Sequence, residues 1–184
     1  MTMVVQTATA QTQTETEMTT TTNTAYIQTG FAGAWVGAEC KLGRLWAIRT
    51  EAGLDFGLRG GDIVGETTRI WAPVLNVEPR FYYNLAKRAS AGKNIFGNSG
   101  NFFAVRMDYH PDWFTISNRS DVNVIEQFQI IPKWGIRRHI GSSHFHYELG
   151  IGIGYRHLFL SRYNINDTED EIAVDLHIRI GYTF

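Results

Sequence analysis

From residue 172 to residue 184 every second side chain is apolar: Ile172, Val174, Leu176, Ile178, Ile180, Tyr182 and Phe184 share one face of an extended chain. Ala173, Asp175, His177, Arg179, Gly181 and Thr183 share the other. Period-two alternation predicts a strand with two different surroundings. A soluble sandwich does not usually load its buried layer with Asp, His and Arg while giving each alternate position a large apolar side chain. The pattern fits a strand whose apolar side meets lipid and whose polar side meets an ion-paired or wet interior.

The same alternation recurs along the chain. In residues 45–59, Trp46, Ile48, Leu54 and Phe56 oppose Arg49, Glu51 and Asp55; in 67–83, Trp71, Leu75, Val77 and Phe81 oppose Asn76, Glu78 and Arg80. Phe103, Val105, Met107 and Tyr109 oppose Arg106, Asp108 and His110. In 122–138, Phe128, Ile130 and Trp134 oppose Lys133 and Arg137, and in 143–159, Phe145, Tyr147, Ile151 and Tyr155 oppose His146, Glu148 and Arg156. Pro73 and Pro79 interrupt the donor pattern of the second of these segments and are expected to bend or bulge it. Between Tyr26 and Leu42 the apolar set slips from Ile27 and Phe31 to Val36, Ala38, Cys40 and Leu42, which a bulge in the Gly/Ala-rich middle would explain.

These segments predict an all-β protein: a small antiparallel transmembrane up-and-down β-barrel of about eight strands, of which seven are clear. Single-chain bacterial barrels have even strand numbers from eight upward. Either one long segment is split, the Thr-rich lead adds a strand, or the barrel does not close in this way. Short turns lie on the periplasmic side in this class and longer loops outside. The turn at 140–142 is then periplasmic, and the loops 60–66, 111–121 and 161–170 face outward. The stretch 83–100 falls on the periplasmic side, with a short basic helical turn expected near 84–92 that could touch lipid headgroups or peptidoglycan. Aromatic girdles are expected from Trp46, Phe81, Trp134, Tyr182 and Phe184 at one rim and Phe56, Tyr109, Phe145 and Tyr147 at the other.

Composition narrows the picture little. The 184 residues carry 17 Lys and Arg against 18 Asp and Glu, so nothing points to nucleic acid or acidic substrates. A mean hydropathy of −0.20 suits a soluble chain, but transmembrane barrel strands are only half apolar and vanish in such averages. No run of 18 apolar residues exists, which excludes a transmembrane helix. Cys40 has no partner for a disulfide or a CxxC site and reads as a small wall residue. Ala8 and Ala10 stand in an A-x-A arrangement before Gln11, a cleavage pattern without the apolar run of an export signal. Residues 1–24 are therefore expected to be a residual signal tail and a flexible Thr-rich lead, and 25–184 the barrel domain.

The segments EPRFYYNLAKR (78–88), YHPDWFTISN (109–118), IPKWGIRR (131–138) and AVDLHIRIGY (173–182) resemble a family of small outer-membrane β-barrel proteins of Bacteroidetes-type Gram-negative bacteria. The likeness covers about residues 26–184 and implies fold and location, with no established activity and no catalytic residues. The terminal aromatic signature, Tyr182 and Phe184, resembles the insertion signal read by the barrel-insertion machinery. Outer-membrane lipid and lipopolysaccharide are then the expected surroundings, the chain a monomer, with no cofactor.

The inward set predicted for the lumen is Arg49, Glu51, Asp55, Glu78, Arg80, Arg106, Asp108, Lys133, Arg137, Glu148, Arg156, Asp175, His177 and Arg179. An eight-strand barrel is just wide enough to be filled by side chains. With signs so mixed, these are expected to neutralise one another as a closed, charge-filled core, leaving a structural, adhesive or surface-recognition role. The alternatives are a narrow channel, or a lipid-modifying hydrolase built on His144, His146 and Glu148 beside Ser142 and Ser143. His144 and His146 could also share a metal, as could the acidic loop of Asp167, Glu169, Asp170 and Glu171.

Overall fold

The computed structural model describes residues 21–59, 68–119, 124–165 and 169–184. The alanine pattern at Ala8 and Ala10, the loop 60–66 and Asp167 lie outside them. Nine strands form: β1 (Thr24–Gly30), β2 (Gly33–Lys41), β3 (Trp46–Arg59), β4 (Thr68–Phe81), β5 (Asn101–His110), β6 (Ile116–Ser117), β7 (Gln127–His139), β8 (Phe145–Leu158) and β9 (Asp170–Thr183). All neighbours pair antiparallel. Eight strands close a barrel in the order β3-β2-β1-β9-β8-β7-β5-β4, the β3–β4 ladder completing the ring. The two-residue β6 is an accessory that pairs antiparallel with β4 at Ile70 and Trp71.

The segment expected to be one bulged strand is a hairpin. Gly30 and Gly33 face each other across a turn at Phe31 and Ala32, and the register runs unbroken from there to Thr24↔Glu39. An odd-numbered outward residue on β1 thus opposes an even-numbered one on β2, as in Ile27↔Val36. The slip in the alternation is a reversal of the chain. It also supplies the strand that the sequence count lacked.

The prolines do not bulge β4 either. The β3–β4 register is continuous from Trp46↔Phe81 to Arg59↔Thr68 across Pro73 and Pro79. The cost falls on the other edge: the β4–β5 ladder skips Glu78 and Pro79, and the β7–β8 ladder skips Ile131 and Pro132. Proline lacks the N–H those ladders need.

Residues 21–23, the C-terminal Phe184, the turn at 42–45, the segment 82–100 and the turn at 140–144 lie at one end of the barrel, here the base. The β1–β2 turn, the β3 end at Arg59, the β4 start at Thr68 and residues 111–119, 124–126 and 159–165 lie at the mouth. Phe145 pairs with Tyr182 and Tyr147 with Ile180, so these two aromatics join Trp46, Phe81 and Tyr182 at the base rim, not at the mouth as the sequence pattern implied. Trp46–Phe81 and Phe145–Tyr182 ring contacts at 4.9 and 5.2 Å tie that rim together.

The wall is inverted relative to a soluble protein. Ile172, Val174, Leu176, Ile178 and Ile180 are half or more exposed on the outside, whereas Arg49, Arg80, Arg137 and Glu148 inside are at 0%. The only apolar core cluster among the described residues is small and sits near the base: Ala47, Tyr82, Leu85, Phe102 and Ala104. Leu85 comes from helix α1 (Leu85–Ser90), which folds beneath the barrel; its Arg88 donates to the carbonyls of Ser99 (2.8 Å) and Asn94 (2.8 Å) and is thereby used to pin this loop.

Candidate functional site

The interior is a layered ion network whose members arrive from β2, β3, β4, β5, β7, β8 and β9, because alternate residues of each strand face inward. Its centre is Glu148 of β8. One oxygen accepts from Arg49 of β3 at 2.6 Å and Arg80 of β4 at 2.8 Å, the other from Arg137 of β7 at 2.9 Å. Toward the base, Glu39 of β2 takes Arg137 at 3.2 Å and the Asn98 amide at 2.6 Å. Glu51 joins Arg49 (2.8 Å), Arg179 (3.0 Å) and the Tyr26 hydroxyl (3.1 Å), and Glu78 joins Arg80 (2.6 Å) and Lys133 (3.2 Å). Nearer the mouth Asp175 holds Lys133 at 3.1 Å and Arg106 at 2.9 Å, and Arg106 also meets Asp108 at 2.7 Å.

Six cations (Arg49, Arg80, Arg106, Lys133, Arg137, Arg179) therefore face six carboxylates (Glu39, Glu51, Glu78, Asp108, Glu148, Asp175), all buried. Buried charges persist only when paired and hydrogen-bonded, and here nearly all are. Arg49 and Arg179 also cover the Tyr26 and Trp35 rings, at 4.4 and 3.8 Å from the centroids. The arrangement fills the lumen with side chains. Glycines make room for it: a Cβ on Gly152 of β8 would come within 2.7 Å of the Lys133 Cβ.

The network contains every residue predicted for it except two. Asp55 and Arg156 stand at the mouth, their side chains 26% and 32% exposed. Asp55 pairs with His110 at 2.9 Å and with the Trp35 indole at 2.8 Å, and Arg156 reaches Glu171 at 3.5 Å. His177 is buried within the network, its Nδ1 3.0 Å from Asp175 and 3.3 Å from Lys133 and its Nε2 3.5 Å from Glu148. Glu39, Tyr26 and Gln28 were missed because β1 and β2 were read as one irregular strand. Asn98 was missed because it comes from a loop. The signal available for it was a Gly-Asn pair: both Gly97 (φ 54°) and Asn98 (φ 60°) adopt left-handed backbone, and Gly97 packs where a Cβ would collide with the His139 ring. This turn inserts Asn98 under Glu39 and closes the base.

The proposed hydrolase residues are not brought together. His144 leaves the lumen, stacks on Tyr182 at 5.4 Å and faces the Thr183 carbonyl at 2.8 Å. Ser142 and Ser143 are exposed in the turn, the Ser143 hydroxyl donating to the Ile140 carbonyl at 2.7 Å. His146 stays inside against Gln28 (2.7 Å) and Thr183 (3.0 Å), and Glu148 is held by three arginines. The Ser–His contact that does form, Ser99 with His139 at 2.8 Å, is buried at the base and has no carboxylate on the ring. Among the described residues no three His, Cys, Asp or Glu side chains are placed to hold a metal ion. Glu169 and Asp170 are engaged by His157, at 3.8 and 2.8 Å.

At the mouth the loops are laced to each other. Glu126 accepts from Tyr109 (2.5 Å) and Arg162, and Tyr163 donates to Asp112 at 2.7 Å. Burial and the Asp112 carboxylate push the Tyr163 phenol above its ordinary range. Trp113, Phe114 and Ile116 project outward, at 48–66% exposure.

Neither a family model, nor a curated protein, nor a solved structure matches this chain. The site must be interpreted from its own geometry. No helix among the described residues is long and apolar enough to cross a membrane.

Proposed function

We propose that this chain is an integral outer-membrane barrel of a Gram-negative bacterium, of the small Bacteroidetes-type family its sequence resembles, with a plugged lumen and a structural, adhesive or surface-recognition role. The observation that carries the proposal is the inverted polarity of the wall. A face built from Ile172, Val174, Leu176 and Ile178, more than half exposed, is costly in water and matched to hydrocarbon, while the charges it hides are neutralised within. Closure of the ring pairs most of the strand edges, which lipid cannot do.

In this reading lipid and lipopolysaccharide surround the wall, and the terminal strand with Tyr182 and Phe184 is the element offered to the insertion machinery. The protein is a monomer without enzymatic activity of its own. Recognition falls to the mouth loops, where Trp113, Phe114 and Ile116 are exposed.

The test is heat-modifiable gel migration of the refolded protein in detergent, with a bilayer-conductance record on the same sample. A compact, heat-sensitive band without conductance is expected. Steady conductance would overturn the plug, and good solubility in plain buffer without a band shift would overturn the membrane assignment.

A further inference from the structure

The wall is not equally tall all round. β1 stops at Gly30, opposite Arg179, and β2 begins at Gly33, opposite Asp55. The flanking strands run on: residues 170–178 of β9 pair with β8 alone, and residues 57–59 of β3 pair only with β4. The last link on the β3 side is the Phe56 N–H to the Ala32 carbonyl at 2.7 Å. Among the described residues a notch two strands wide therefore opens above the Phe31–Ala32 tip, bordered by the edge of β9 that β1 leaves unpaired.

The notch lies within the apolar belt. Outward residues Ile172, Val174 and Leu176 rise beside it on β9, and Phe31 at its floor is 62% exposed. An unpaired strand edge at membrane depth persists only where it lines protein or a water-filled cavity. A polar headgroup passing through the notch offers hydrogen-bonding groups to that edge while its acyl chains stay outside on the apolar face.

Behind the notch is a cup of about 280 Å³ lined by residues of β3, β4, β5, β7 and β8 together with Val124, and none from the two short strands. His110 lies in its wall, its side chain 5% exposed. Nε2 is 2.9 Å from Asp55 Oδ2 and donates to it, which in the neutral ring leaves the lone pair on Nδ1. Nδ1 is buried and has no hydrogen-bond partner among the described residues. Asp55 is fixed in turn by the Trp35 indole. Arg156 also lines the cup, half-buried, its contacts to Gln129 (3.4 Å) and Glu171 (3.5 Å) long. The cup thus holds a fixed acceptor in need of a donor and a guanidinium loosely paired. Buried polar groups left in this state mark a place for a ligand with the complementary groups.

We infer that the notch admits an anionic, hydroxyl-bearing lipid headgroup sideways into the cup. Its hydroxyl donates to His110 Nδ1, its phosphate rests on Arg156, and its acyl chains stay against Phe31, Val174 and Ile172. The inference rests on the membrane reading above.

The experiment uses the full chain in phosphatidylcholine nanodiscs, with NMR of the His110 ring and Arg156 guanidinium nitrogens. Phosphatidylglycerol in the disc is one probe and soluble glycerol 3-phosphate the other. Phosphatidylglycerol is expected to shift both signals saturably, glycerol 3-phosphate much more weakly. Arg156→Gln should weaken the phosphatidylglycerol response about tenfold or more, as the loss of a charge-assisted hydrogen bond does, with unchanged heat-modifiable migration. Equal responses to the two probes would overturn side entry, and no saturable response to either would overturn the ligand site. Failure of the chain to enter nanodiscs would overturn the membrane reading and this inference with it.

Discussion

Glu148 shows how much one inward side chain carries. Three arginines from three strands converge on its two oxygens, and all four groups are fully buried. Attraction in such a site barely exceeds the desolvation of its members, so its removal is felt as stranded cations more than as a lost bond. Glu148→Gln is expected to destabilise the barrel by about 3–5 kcal/mol in a urea or guanidinium titration followed by heat-modifiable migration. Glu171→Gln, which removes only an exposed partner of Arg156 at 3.5 Å, should shift stability by about 0–1 kcal/mol. Outside, the decisive residue is Leu176. Leu176→Arg places a charge on the lipid face and should cost about 2–4 kcal/mol of folding into detergent or bilayer; unchanged folding would remove the membrane assignment.

Among the elements, β9 divides in two. Its second half is paired on both sides, with β8 and β1, while residues 170–178 have no β1 partner. Hydrogen exchange should reveal the division: amides of 170–178 directed at the notch should exchange faster than those of β7, whose ladders run along both edges. Uniform protection along β9 would mean the notch is closed. The sequence made β9 the easiest strand to recognise and left this division invisible, because alternation records which face a residue takes and not which neighbour its backbone finds. The β1–β2 hairpin is the converse. Its turn residues, Phe31 and Ala32, carry none of the usual hairpin signals, and only the glycines at 30 and 33 hint at a reversal, so the alternation slip looked like a bulge.

For the whole molecule, the network and the base plug together predict a barrel whose stability ignores salt. Screening lengths fall from about 10 Å at 0.1 M to about 3 Å at 1 M, but mobile ions do not enter a lumen filled by side chains. The unfolding midpoint should therefore move little across that range; a strong salt dependence would mean that the interior is wet. The charges lining the lumen, the apolar outer wall and the all-β architecture were legible from residue alternation, which follows directly from the two-sided geometry of a strand. Glu39 at the network's base, Asn98 inserted from a loop, the pairing of His110 with Asp55 and the exit of His144 from the interior were not. Each depends on which strands become neighbours and how far they slide past one another, and that register is set by closing the ring, a condition met only by the folded chain.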